Sequence, residues 1–233
     1  MAVSNNALKA ILFDFDGVIV DTESVLFQSW QDTCAAHGCA LSIEQWAANV
    51  GGYSYDIFDP LGHIETQCGH PIDREAVNTA RRACYLHRVH RQDAMPGIPE
   101  AFEATKTLGL KLAVVSSSSI NWVTGHLKRL ALDAFVDVYA CGNEVENVKP
   151  DPAVYHLALE RLHIGAAQAI AIEDSPKGVA AAKTAGIYCV AAPNPVTRHA
   201  PLNGHNRLVE SLAQHDFHKL ATGIAEELRA YSA

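Results

Sequence analysis

The sequence predicts an α/β protein: a doubly wound parallel sheet, with an all-helical segment inserted after the first strand. Three observations carry that reading. Short apolar runs alternate with helix-length segments from Pro99 to Ala191, the pattern of a parallel sheet covered on both faces. The first apolar run, Ala10-Ile11-Leu12-Phe13, stops abruptly at Asp14-Phe15-Asp16-Gly17, as a buried strand does at the edge of a sheet. Between Asp21 and Ala94 there is helical spacing and no convincing strand.

Taken in order, Thr22 to His37 places Val25, Leu26, Trp30 and Ala35 at near-helical intervals, with Asp21 or Thr22 as cap and Gly38 as stop. Helices are expected next over Ile43 to Asn49, Ser54 to Gln67 and Asp73 to Arg91, broken at Gly51-Gly52 and Gly69-His70-Pro71. Met95-Pro96-Gly97 marks the return to the sheet. A helix over Pro99 to Leu108 then precedes a strand at Lys111 to Val115, a helix over Asn121 to Leu130 and a strand near Val136 to Ala140. The alternation continues with a helix over Pro152 to Leu162, a strand at Ala169 to Ile172, a helix over Pro176 to Ala185 and a strand at Tyr188 to Ala191. From Arg207 the tail adds a short strand and a helix ending near Arg229.

Composition narrows the class. The 233 residues suffice for one large domain or a main domain with a smaller companion, and 48% hydrophobic with 19% charged residues is ordinary for a globular chain. A formal charge of -8 argues against a nucleic-acid surface, yet leaves a phosphorylated small molecule open, because local cations can reverse the field inside a pocket. No apolar run approaches the roughly 20 residues that span a bilayer, so no membrane partner is expected. Six scattered cysteines without a C-x-x-C pair, and no signal-like opening segment, lead to the expectation of a reduced, cytoplasmic protein. No heptad repeat calls for association, and a monomer is expected.

Four polar clusters fall where strands stop, which is where ligands bind in such sheets. Asp14 and Asp16 would share one side if extended geometry continued past Phe13, and two carboxylates so close ask for a hard cation such as Mg²⁺. A solvated acidic loop fits that stretch alone equally well. Ser116-Ser117-Ser118-Ser119 closes the second strand with hydroxyls and amides able to hold an anion, one of them serving as a helix cap. In Lys149-Pro150-Asp151-Pro152, Asp151 and Pro152 suit a cap and a first helical position, which leaves Lys149 as the free cation. Glu173-Asp174-Ser175-Pro176 ends the fourth strand in two acids, able to complete an oxygen-rich cage with Asp14 and Asp16, before a Ser-Pro helix start.

These clusters resemble the four motifs of the haloacid dehalogenase-like superfamily: Asp14-x-Asp16-Gly17-Val18, Ser116, Lys149 and Glu173-Asp174. The Asp21-Thr22-Glu23 continuation and the helical insertion look like its subgroup with an α-helical cap, which holds sugar-phosphate phosphatases and β-phosphoglucomutases. The resemblance implies a Rossmann-like core, residues 1–20 and 95–233, with residues 21–94 as the cap. It implies Mg²⁺-dependent hydrolysis of small phosphate monoesters through an aspartyl-phosphate. Asp14 would be the nucleophile and Asp16 the general acid and base. Mg²⁺ would be held by Asp14, the main-chain carbonyl of Asp16 and Asp174, with Glu173 a direct or water-mediated ligand. Ser116, the Ser117 amide and Lys149 would bind the phosphoryl oxygens.

By this resemblance Asp16 argues against dehalogenation, since true dehalogenases lack an acid there, and the absence of lysine between Asp21 and Ala94 argues against the Schiff-base phosphonate hydrolases. A β-phosphoglucomutase is the alternative, although Leu26 stands where those enzymes carry a histidine and Gly51-Gly52-Tyr53-Ser54 where they carry an arginine. A non-enzymatic phospho-receiver domain is a more remote one, being about half this length. Substrate choice is assigned to the loop at Gly51 and Gly52 and to the basic helix with Arg81, Arg82 and His87, whose alternative reading is a solvated basic face.

Overall fold

The structure is a computed structural model that describes residues 7–47 and 58–230. Its sheet has six parallel strands in the order β3-β2-β1-β4-β5-β6. Strand β1 (Ala10–Phe13) lies at the centre, between β2 (Lys111–Ser116) and β4 (Ala169–Glu173), with β3 (Val138–Cys141) on one side and β5 (Tyr188–Ala191) and β6 (Arg207–Leu208) on the other. All four β1 side chains are fully buried, as an apolar run without polar alternation requires, and each large one contributes roughly 1.5–3 kcal/mol.

Two apolar layers flank the sheet, so it is doubly wound. Ile11 and Phe13 pack with Phe102 of α5 (Ile98–Thr107), Val123 and Leu127 of α6 (Ile120–Arg129), and Phe217 and Ile224 of α9 (Phe217–Ala230). Ala10 and Leu12 face the other layer, with Val154, Tyr155 and Ala158 of α7 (Ala153–Leu162) and Val179 and Ala182 of α8 (Pro176–Thr184). The chain turns left of β1 for β2 and β3 and right of it for β4, so the crevice beyond the carboxyl ends of β1 and β4 is the topological switch point.

The inserted segment is helical among the described residues: α1 (Thr22–Ala36), α2 (Ile43–Ala47), α3 (Pro60–Cys68) and α4 (Arg74–Val89). Helix α1 packs on α4, and Trp30, Cys34, Trp46, Leu61 and Ile64 form a third small core with Val196 and Ala200 from beyond β5. The Met95 amide donates to the Ile19 carbonyl at 2.8 Å, tying together the two crossings between the helices and the sheet.

Local differences from the sequence expectations have identifiable causes. Helix α3 begins at Pro60, not Ser54: Asp59 caps it by accepting from the Leu61 amide, and proline takes the first turn, while residues 54–57 lie outside the described part. The end of the helix expected over Ile43 to Asn49 likewise falls outside it after residue 47. Helix α7 begins one residue later than expected, at Ala153, with Pro152 in the cap position; Asp151 still accepts the Ala153 amide at 2.9 Å. The other caps are as read: Asp21 for α1, one serine of the run (Ser119) for α6, and Ser175 for α8.

Gly97 opens α5 with φ of 88°, and a Cβ there would meet the Ala213 backbone nitrogen at 2.4 Å. Gly109 has a comparable φ of 70° and nothing within 4 Å of its Cβ position. Both alanine substitutions place a side chain in the left-handed region at a cost of about 1–3 kcal/mol, and only Gly97→Ala adds a clash with backbone. Urea denaturation should therefore show Gly97→Ala as the more destabilised variant by at least about 1 kcal/mol; equal losses would mean that the α5 entry relaxes freely.

Candidate active site

Three acids meet at the switch point. The Asp14 amide donates to the Ile172 carbonyl at 3.0 Å, which carries Asp14 just past the end of β1 beside β4, where Glu173 and Asp174 emerge. All three are buried, and one carboxylate oxygen of each lies within 4.8 Å of the others. Lys149, on the loop between β3 and α7, reaches into this cluster. Its Nζ donates to Asp14 Oδ1 at 2.7 Å and to the Val115 carbonyl at 2.9 Å, and pairs with Glu173 Oε1 at 2.7 Å. Tyr155 of α7 donates its hydroxyl to the same Glu173 oxygen at 2.5 Å. Lys149 is thus the buried centre of the cluster rather than a free cation.

Charge in this cluster is unbalanced. Burial alone would depress the Lys149 ammonium, but Asp14 and Glu173 beside it raise its pKa, so it stays charged. Burial, reinforced by Glu173, pushes Asp14 up to about 8 even with Lys149 bound to it, and burial with Asp14 raises Asp174 well above the usual carboxylate range. Asp174 Oδ1 is buried and has no hydrogen-bond partner among the described residues. Three carboxylates, one ammonium and an orphaned carboxylate oxygen fit a hard divalent cation that prefers oxygen ligands, as Mg²⁺ does. The other Asp174 oxygen accepts Asn194 Nδ2 at 2.9 Å, which fixes the carboxylate from outside.

Asp16 does not join the acidic trio. Extended geometry ends at Phe13; Gly17 turns the chain at φ of 86°, and its Cβ position lies 2.1 Å from Asp174 Oδ2, so no side chain fits there. The Asp16 carboxylate consequently turns to the β2–α6 loop. It accepts Ser118 Oγ at 2.6 Å, Ser116 Oγ at 3.3 Å and Trp122 Nε1 at 3.1 Å. The Ser116 hydroxyl is fully buried and also accepts the Ser118 amide at 2.9 Å, while Ser117 and Ser118 line the open space.

That space is a cavity of about 220 Å³ bordered by Asp14, Asp16, Lys149, Asp174, Glu23 and Tyr85 among others. A second cavity of about 310 Å³ adjoins it, sharing Asp16, Leu26, Tyr85 and Ser118, and adding Trp30, Arg81, Arg82, Leu86 and Trp122. The basic helix therefore contributes Arg81 and Arg82, not His87, which is exposed and pairs with Arg91 at 3.1 Å one turn along α4. Three residues after His87, the His90 ring packs on Trp122 and His126. Gly51 and Gly52 lie outside the described residues.

Sequence reasoning gave no role to Tyr155, Trp122, Asn194 or Glu23. Burial, with Asp16 and Asp21 nearby, pushes Glu23 up to about 7. Its position directly after Asp21-Thr22, at the first turn of α1, was the available signal; Pro193-Asn194-Pro195 after β5 was another. Trp122 and Tyr155 sit within helices, where aromatic spacing reads as core.

Residues 11–192 match the family model for haloacid dehalogenase-like hydrolases. YhcW of Bacillus subtilis strain 168, assigned as a phosphatase, is 37% identical over 207 residues, covering 89% of this chain and 93% of that one. The phosphorylated carbohydrates phosphatase of Thermotoga maritima is 32% identical over 190 residues, 77% of this chain and 82% of that one. Among solved structures, a Thermotoga maritima protein assigned as a β-phosphoglucomutase superposes with a TM-score of 0.73 at 25% identity, covering 93% of this chain and 100% of that one. With its acids, lysine and serines converging at the switch point of a six-stranded parallel sheet, the chain belongs to the haloacid dehalogenase-like hydrolases, as an enzyme of their phosphatase class related to sugar-phosphate phosphatases and β-phosphoglucomutase-like proteins.

Proposed function

We propose that this phosphatase hydrolyses small phosphate monoesters, sugar phosphates first among them, by way of a phosphorylated Asp14. The observation that carries the reading is the Asp14 carboxylate: it lies on the cavity wall, bonded to Lys149, with Asp16 and Ser118 across the same space. Asp14 attacks phosphorus and divides one hard displacement into two. Asp16 gives its proton to the departing alcohol and then takes one from the water that hydrolyses the phosphoenzyme. Ser116, the Ser117 amide and Lys149 hold the phosphoryl oxygens, where positioning and charge do most of the work. In the present arrangement Ser116 acts through its bonds to Asp16 and Ser118.

Asp14, the Asp16 carbonyl and Asp174 would hold Mg²⁺, and Glu173 sets the position of Lys149 behind them. When bound, the ion supplies the charge neutralisation that lets an anionic carboxylate approach an anionic phosphate. Residues 21–94 serve as a cap over the core formed by residues 1–20 and 95–233, and the second cavity, between the two, receives the alcohol part of the substrate. Support for a sugar phosphate comes from that cavity's tryptophans and arginines and from the activity named for the 32% identical carbohydrate phosphatase. Free thiols at all six cysteines support a reducing, cytoplasmic setting. Arg81 and Arg82 also suit a second phosphate, which favours β-phosphoglucomutase as the second reading; Leu26 on the wall of both cavities favours the phosphatase.

A panel of sugar phosphates assayed with Mg²⁺ should release inorganic phosphate, and excess chelator should stop it; turnover that ignores the chelator would remove the cation from the reading. In the same panel, β-glucose 1-phosphate with a trace of its bisphosphate should yield phosphate, whereas glucose 6-phosphate without phosphate release would favour the mutase. Asp14→Asn should retain less than about 1% of activity with an unchanged far-ultraviolet spectrum, because a covalent nucleophile contributes several kcal/mol to the transition state. Trp122→Phe removes the indole donor to Asp16, a charged hydrogen bond of about 1.5–3 kcal/mol, so kcat should fall roughly tenfold or more while KM changes little. A change confined to KM would make Trp122 a substrate contact instead.

A further inference from the structure

A second cluster of ligand-type side chains lies away from the catalytic acids. Cys34 in the last turn of α1, Cys39 just beyond that helix and His63 on α3 each bring one donor atom within 4.8 Å of the other two. We propose that these three residues form a binding site for Zn²⁺, with an exchangeable fourth ligand.

The donor set is the basis. Two thiolates and an imidazole suit a borderline-soft ion, unlike the all-oxygen set at Asp14, Glu173 and Asp174. Bonds of about 2.3 Å to sulfur and 2.0–2.1 Å to nitrogen put two sulfurs roughly 3.8 Å apart and sulfur and nitrogen roughly 3.5 Å apart in a tetrahedral site, so a spacing within 4.8 Å needs a contraction of about 1.3 Å at most. Two of the three residues allow it, since Cys39 and His63 are partly exposed while Cys34 is anchored in the core.

The histidine is held by a backbone carbonyl. His63 Nε2 lies 2.8 Å from the Ala40 carbonyl, which can only accept, so the ring carries its proton on Nε2 and keeps a lone pair on Nδ1. A backbone carbonyl that fixes the tautomer in this way is the usual outer partner of a metal-bound histidine. Cys39 Sγ donates to the Cys34 carbonyl at 3.2 Å, which holds its sulfur over the end of α1. Apolar packing accounts for Cys34 and for Cys39 against the same core, and the Phe58 ring lies 5.6 Å from the His63 ring; the convergence of three ligand-type donor atoms is what points beyond packing to an ion.

Such a site would cross-link the end of α1 to α3. Cys34 is about 18 Å along the α1 axis from Thr22, which lines the catalytic cavity, so the two cation sites are separate and share one helix. Binding would displace the thiol protons, so affinity should rise with pH.

The test uses the full-length reduced, metal-stripped protein in excess Mg²⁺, which satisfies the carboxylates. Titration with Co²⁺ should produce a sulfur-to-metal charge-transfer band saturating at one equivalent and bleached by Zn²⁺. Cys39→Ser and His63→Ala, each checked by far-ultraviolet circular dichroism, should weaken binding by more than about tenfold, the loss expected for disturbing even an outer partner of a metal site. Zn²⁺ should raise the melting temperature of the unsubstituted protein and not of either variant. Absence of the band in the unsubstituted protein, or a band undiminished in His63→Ala, would overturn the site.

Discussion

The buried Lys149 ammonium is the contact on which the active centre depends. Its three short bonds end on Asp14 after β1, on the Val115 carbonyl of β2 and on Glu173 of β4, so one side chain from the β3–α7 loop joins three adjacent strands at their carboxyl ends. A lone buried ammonium would be costly, and so would any of the acids alone. Together they are tolerated because the ammonium offsets part of the charge of Asp14 and Glu173, and Tyr155 satisfies the Glu173 oxygen further. Breaking one bond would strand a charge in the interior, and that mutual dependence fixes the relative positions of strand ends that the sheet ladder leaves adjustable.

The geometry around this lysine is possible only because two positions carry no side chain. At Gly17 a Cβ would lie 2.1 Å from Asp174 Oδ2; at Gly178, in the first turn of α8, it would lie 1.8 Å from Glu173 Oε2. The backbone of the β1 loop therefore presses on one acid and the start of α8 on the other. Glu173 Oε2 finds no hydrogen-bond donor among the described residues, yet it rests against a helix N-terminus, where the aligned peptide dipoles favour negative charge. Burial of the acids, the glycines and the Ser175 cap are thus parts of a single local packing problem.

How much of this was legible in the sequence follows from the range of each interaction. The strands were readable because their burial on both faces leaves uninterrupted apolar runs, and the acids because they end those runs. The direction of Asp16 was not: alternation along a strand predicts it on the side of Asp14, and the turn at Gly17 cancels the alternation. Tyr155, Trp122 and Asn194 come to the site from α7, α6 and the loop after β5, through contacts spanning up to 177 positions in the chain, and nothing local distinguishes them from ordinary core or turn residues. His87 lies off the cavity walls for a related reason. Helical spacing groups residues by face without saying which face meets the cavity, and α4 presents Arg81, Arg82 and Tyr85 there.

The two adjoining cavities divide the chemistry by their walls. The smaller is bounded mainly by groups fixed in the sheet core: Asp14, Lys149, Asp174 and the serines after β2. The larger draws Leu26 and Trp30 from α1 and Arg81, Arg82, Tyr85 and Leu86 from α4, with Tyr85 stacked on Trp122 and Val25 and Val89 buried in the core beside them. Asp16 stands on both walls, and its carboxylate is held by donors from the core alone, Ser116, Ser118 and Trp122. Under the proposed roles, movement of the helices would therefore change the size of the second cavity without displacing Asp16. On the proposed roles, substitutions on α1 and α4 can alter the leaving group while phosphoryl chemistry stays with the strand ends, because among the described residues the acids are positioned by Lys149 and Asn194, on loops that follow strands β3 and β5.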